Sequence, residues 1–284
     1  MVAPRLPFAV RVAGLRVRRH VCEALHPQVL ARQVAGTDDF PVIVARRTSP
    51  LKRAPDGAIA AFSDEKEHNL RLAARRLDGL VIAPGEVFSF CRTVGKTTRW
   101  RGYRRALELR HDKLVAAVGG GLCQLANLLY LVALDVDAEI VERHHHSVDL
   151  FRDVERTVPF GLGATVFYNY LDLRFRTTLP FPVRLGVRVE PPLLVCEVRA
   201  RQALPFRVRV VETDQRFFRR DGVVYRANRV WRVVEGLAPQ TEGQSDADVP
   251  ASARRCRREL LMANEARVLY EADDLVDGTD RPRQ

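Results

Sequence analysis

Gly119-Gly120-Gly121-Leu122-Cys123-Gln124-Leu125-Ala126-Asn127 sets a thiol directly behind a glycine run and at the head of an apolar, helix-like stretch from Leu122 to Leu134. Glycine tolerates backbone geometries closed to other residues, so Gly120 and Gly121 suit a tight turn or a close approach to a ligand. A thiol in the first turn of a helix meets the positive end of the helix dipole, which favours the thiolate. About twenty residues on comes Arg143-His144-His145-His146-Ser147. A placed Cys followed by a candidate His is the minimum signature of a thiol nucleophile and its base. Gln124 and the backbone amides around Gly121 and Cys123 could stabilise an oxyanion. Asn127 stands four residues after Cys123 and shares its helical face. The same residues also fit plain architecture, with a glycine turn feeding a helix and a packed Cys, the commonest fate of a free thiol.

The elements that would position these groups follow from periodicity. Glu65 to Leu80 reads as an amphipathic helix with Leu70, Ala73, Ala74 and Leu77 on one face. Pro84-Gly85-Glu86 is a turn into a strand, Val87-Phe88-Ser89-Phe90. After the Leu122–Leu134 helix, strands are expected through Ala138–Glu142 and Ala164–Tyr170, the latter continuing toward Asp172 and Phe175. Residues 181–270 alternate apolar and polar in short runs, and Arg220-Asp221-Gly222 reads as a hairpin turn. The fold class is therefore mixed α/β of the α+β kind, with a largely antiparallel sheet and the Cys-bearing helix packed on it. Residues 1–60 form a basic N-terminal segment, 61–235 the principal domain, and 236–284 a C-terminal loop, helix and final strand.

Composition bounds the class. The 284 residues are 46% hydrophobic and 29% charged, as in a globular protein with a real core. No run is long enough to span a bilayer, and Met1–His20 lacks the continuous apolar core of a secretory signal, so a cytoplasmic, at most membrane-peripheral, protein is expected. The five cysteines are dispersed, with no CxxC pair, which argues against a disulfide framework or a structural zinc site. His144 and His146 would share one side of a strand and could join Cys123 around zinc, but the spacing is not diagnostic, and no cofactor or metal is expected. The net charge of +11 is carried mainly by arginine, with only four lysines. It makes an anionic envelope surface a candidate partner. Nucleic acid is disfavoured, because no recognised binding motif accompanies the charge.

A set of separate stretches runs from about Asn69 to about Tyr270: Asn69-Leu70-Arg71-Leu72-Ala73-Ala74, Pro84 to Phe90, Gly102-Tyr103, Gly119 to Leu125 with Asn127 and Tyr130, and Val141-Glu142-Arg143 through His146-Ser147. It continues with Pro159-Phe160-Gly161, Gly163 to Tyr170, Tyr225 to Asn228 and Asn264-Glu265-Ala266. In these stretches the chain resembles the VanW-like family. The resemblance implies a link to the cell envelope and glycopeptide resistance, with a cell-wall precursor or peptide as the candidate ligand. It implies no settled chemistry. It favours His146 over His144 and His145 as the base of Cys123, through the family's Arg-x-x-His-Ser pattern. Asp172 or Asp149 would orient that imidazole. The chain departs from the family at Cys91, Ala106 and Ala126, and at Gly163, where some branches carry Asp. The expected function is a VanW-like envelope protein with a Cys/His pocket, either a thiol hydrolase or acyl-transferase on an amide or peptide, or a non-catalytic binding or structural module.

Overall fold

The computed structural model describes residues 8–51, 60–110, 113–145, 148–149, 159–236 and 256–268. The chain opens with helix α1 (Phe8–Leu25), then strand β1 (Val42–Pro50). Helix α2 (Ser63–Leu77) follows, with Asp64 and Glu65 in its first turn and Arg75 and Arg76 in its last, the charge order that the helix dipole favours. Its apolar stripe, Leu70, Ala73, Ala74 and Leu77, is fully buried. Short strands β2 (Val81–Ile82) and β3 (Val87–Ser89) flank the glycine turn at Gly85, and β3 runs straight into helix α3 (Phe90–Val94). Ser89 ends the expected strand one residue early, because its hydroxyl accepts the Arg92 amide and caps α3.

Strands β4 (Arg105–Arg110) and β5 (Lys113–Val118) form a hairpin that leads through the three glycines into helix α4 (Leu122–Asp135). Helix α4 occupies the expected span, with Cys123 in its first turn. Ten of its residues are buried, so it is apolar nearly all round, the pattern of a helix in the middle of a core. Strands β6 (Glu139–Glu142), β7 (Val148–Asp149), β8 (Arg174–Arg176), β9 (Val183–Glu190) and β10 (Leu193–Ala200) follow. The long hairpin β11 (Phe206–Arg220) and β12 (Val223–Gly236) turns at Asp221-Gly222 as expected, and β13 (Cys256–Val268) completes the described chain.

The strands assemble as β1-β10-β9-β2, β11-β12-β13-β7 and β3-β8-β6, beside the β4-β5 pair. All pairings are antiparallel except β13 with β7, so the mixed α+β class with a largely antiparallel sheet is observed. Helix α4 packs on β1 and β10, and α2 packs on β9. Leu125, Leu129, Val132, Leu185, Leu194 and Cys196 join in one core.

Among the described residues, one expected strand is absent. Ala164–Tyr170 is not a strand: only Phe167 forms a bridge, to Leu171, and the segment closes in a turn. Asn169 sits at φ 53, a left-handed conformation that asparagine tolerates and a strand does not contain. The backbone amides find other partners. Thr165 donates to His144 O at 2.7 Å, Phe167 to Leu171 O at 2.8 Å, and Ala164 to the Asn127 side chain at 2.6 Å. The β-branched and aromatic residues here therefore build a loop wall.

Candidate functional site

The glycine turn is made by close packing. A Cβ on Gly120 would fall 2.1 Å from Ala106 O on β4, and Gly121 turns at φ +91 to start α4. Asn69, buried on α2, holds the same turn. Its Nδ2 donates to Gly120 O at 3.1 Å and Arg104 O at 3.0 Å, and its Oδ1 accepts the Arg104 amide at 2.8 Å. Gly120 thus fixes α4 against the β4–β5 hairpin, while Gly119 and Gly121 reach a cavity.

That cavity has a volume of about 220 Å³ and is lined by Cys123. Helix α3 contributes Phe90, Cys91 and Val94, and the hairpin contributes Glu108, Ala117 and Val118. Lys96 and Thr97 follow α3, Val166 to Tyr168 form the loop wall, and α1 adds Arg16. The Arg16 guanidinium lies 5.7 Å from the Phe167 ring centroid.

The loop wall is tied down from four sides. The Asn127 Oδ1 accepts the Ala164 amide. Arg143 donates to Gly163 O at 2.8 Å and to Gly161 O, and its guanidinium lies 4.8 Å from the Tyr130 ring centroid. Asn228 and Asn264 both donate to Phe160 O, at 2.9 and 3.2 Å, and Asn264 also donates to Asn228 Oδ1 at 2.7 Å. Four of the motif residues that carried the resemblance, Asn127, Arg143, Asn228 and Asn264, thus act on one object, the loop beside the Cys123 cavity.

Placement at the helix end is opposed at Cys123 by burial. Burial pushes its thiol above the ordinary cysteine range, against the pull of the Val166 backbone and its own amide, and the Glu108 charge adds to the rise. A helix terminus contributes about 0.3–1 kcal/mol, less than the cost of desolvating a thiolate. Cys91, behind it, is raised further by burial and by the charge of Asp172.

The remaining expected site residues lie as follows. His146 lies outside the described residues. Gln124 turns to β1, where Nε2 donates to Ser49 Oγ and Pro50 O, both at 2.7 Å, so it anchors α4 and does not line the cavity. Asp172 is wholly buried and accepts from Ser89 Oγ at 2.6 Å, the Cys91 amide at 2.8 Å and Arg174 Nε at 2.8 Å. Its carboxylate organises α3 and β8. Glu142 contacts a histidine in this region, its Oε1 lying 3.0 Å from His144 Nε2. Glu142 also accepts from Arg19 at 2.9 Å and from the Asp172 amide at 3.0 Å. Among the described residues, no cluster of three or more His, Cys, Asp or Glu side chains could hold a metal ion, and no helix is long and apolar enough to cross a membrane.

Arg16, Lys96, Thr97 and Glu108 were not legible as pocket residues, because they belong to no chemical motif and come from separate elements. Lys96 carried one weak signal, being among the few lysines of an arginine-rich chain.

Fold and site define an α+β protein whose glycine turn, helix α4 and clamped loop enclose a thiol-lined pocket. Residues 65–199 match the family model described as VanW like protein. The chain is 26% identical over 245 residues to the vancomycin B-type resistance protein VanW of Enterococcus faecalis (strain ATCC 700802 / V583), covering 86% of this chain and 84% of that protein. It is 32% identical over 126 residues to the uncharacterized protein YoaR of Bacillus subtilis (strain 168), covering 43% of this chain and 39% of that one. No solved structure matches. Over these residues the chain is similar to the VanW-like proteins.

Proposed function

We propose that this protein is an envelope accessory protein that binds a peptide-like cell-wall precursor, without covalent chemistry, in the Cys123 pocket. The observation that carries this reading is the pocket wall. Among the described residues it sets Arg16 and Lys96 against one acid, Glu108, beside the positive end of α4, with the apolar Phe90, Val94 and Leu122. Such a wall suits a carboxylate on a small apolar residue, the terminus of a peptide. Burial that raises the Cys123 thiol supports a packing role in this setting. The name of the Enterococcus relative supports the biological setting.

A second reading, thiol acyl transfer, is favoured by one observation: Cys123 stands in the first turn of α4 with the Val166 backbone directed at its sulfur. Titrating short peptides with a free or an amidated C-terminus into the protein, followed by calorimetry and intact mass, separates the two. Binding of the free-carboxylate peptide that survives Cys123→Ser and is lost in Cys123→Trp is the expected result. No binding, or equal binding of the amidated peptide, overturns carboxylate recognition. An acyl mass on Cys123 moves the assignment to catalysis.

A further inference from the structure

Helix α1 is held to the body of the protein by polar contacts along one face. Arg19 pairs with Glu142 and donates to Tyr170 O at 3.2 Å. Glu23 pairs with Arg174 and Arg92, and Arg16 packs over Phe167. With the buried Val12, these residues follow one another at helical spacing, so they form a single docked stripe.

The opposite stripe is apolar and bare. Val10, Val17, Val21 and Leu25 are 51%, 62%, 51% and 69% exposed, and with Gly14 they fall on one face. Apolar residues normally face the core, so a face of this composition turned outward marks an interaction surface. Val29 and Val34, beyond the helix in the chain, are exposed as well. Beside it runs a groove of about 580 Å³ lined by Glu23, Gln28, Val34, Arg32, Arg76 and Arg92, among others. The acid in that wall, Glu23, is spent on Arg92 and Arg174, and Arg32 and Arg76 are exposed.

We infer that α1 and the adjoining arginine groove form a docking surface for an anionic lipid bilayer. The valine stripe enters the headgroup boundary, and Arg18, Arg32 and Arg76 meet lipid phosphates. Charge decides between this and a second copy of the chain. Pairing two α1 helices would set arginines against arginines around a seam broken by Gly14, whereas an anionic surface neutralises them. Docking of this kind puts the Cys123 pocket, which shares Arg16 with α1, next to the membrane where envelope precursors lie.

Flotation of the full chain with vesicles of equal parts phosphatidylglycerol and phosphatidylcholine, or of phosphatidylcholine alone, tests the inference. Binding to the anionic vesicles only is expected. The double variant Val17→Asp/Val21→Asp should weaken it by about tenfold or more, and Arg32→Ala or Arg76→Ala by about fivefold each. Far-UV dichroism checks that α1 persists in each variant. Three results overturn the inference: failure of the wild type to float with anionic vesicles, undiminished flotation of the valine variant with its helix intact, and a dimer in sedimentation that the valine variant dissociates.

Discussion

The Asn127 Oδ1 accepts the Ala164 backbone amide at 2.6 Å. Asn127 lies one turn after Cys123 on α4, so this bond spans from the helix that carries the thiol to the loop that walls its pocket. It does the work that a strand ladder would otherwise do, because residues 164–170 form no ladder.

Asn127→Ala leaves the Ala164 amide unpaired in a buried setting. A loss of about 1–3 kcal/mol in urea unfolding is expected, with faster alkylation of Cys123 as the loop opens. Unchanged stability together with unchanged alkylation would show that the loop is held by Arg143 and the two C-terminal asparagines alone.

Gly120→Ala should be among the most damaging small substitutions in the chain. The added methyl meets backbone carbonyl oxygen of β4, which cannot move aside as a side-chain tip could. Destabilisation of about 3 kcal/mol or more is expected, against about 0.5 kcal/mol or less for Gly36→Ala, where a Cβ finds open space. Thermal unfolding of the two variants in parallel gives the comparison.

The thiols should alkylate in the order of their exposure. Cys22 and Cys256 are exposed, Cys123 is partly covered, and Cys91 and Cys196 are buried. Because burial raises the Cys123 thiol, its thiolate fraction at neutral pH is low and grows only as pH rises above the ordinary cysteine range. Limiting iodoacetamide with peptide mapping should label Cys22 and Cys256 first. Preferential labelling of Cys123 at neutral pH would show that a base activates it.

Glu142 should give the protein an acid-labile contact. Burial alone would raise its carboxyl, but the His144 and Arg19 hydrogen bonds and the Arg19 charge outweigh burial and hold it at about 2. A carboxyl depressed by folding stabilises the protein above its unfolded value and loses that contribution as pH falls. The loss should run from about 4.5 down to about 2. Glu142→Gln should lack this portion of the acid transition, so the stability gap between variant and wild type should close over that window. Parallel denaturant melts at stepped pH would show it, and a gap independent of pH would assign the contact no linkage.

The sequence by itself determined what short-range physics controls. Helix α4 was legible because its apolar run is long and follows a glycine turn. Helix α2 was legible from a clean stripe, and the β11–β12 hairpin from Asp221-Gly222, whose residues take positive φ readily. Cys123 could be placed in a first turn for the same reason. Tertiary structure decided the rest. The 164–170 segment has strand composition, yet side chains remote in sequence, Asn127 and Arg143, satisfy its backbone as a loop. Asp172 was expected to orient a histidine, but its carboxylate turns to Ser89, Cys91 and Arg174, and Glu142 contacts His144. Local pattern also favoured a lowered Cys123 thiol, since a helix dipole is a property of one element. Burial is a property of everything packed around that element, and here it is the larger effect.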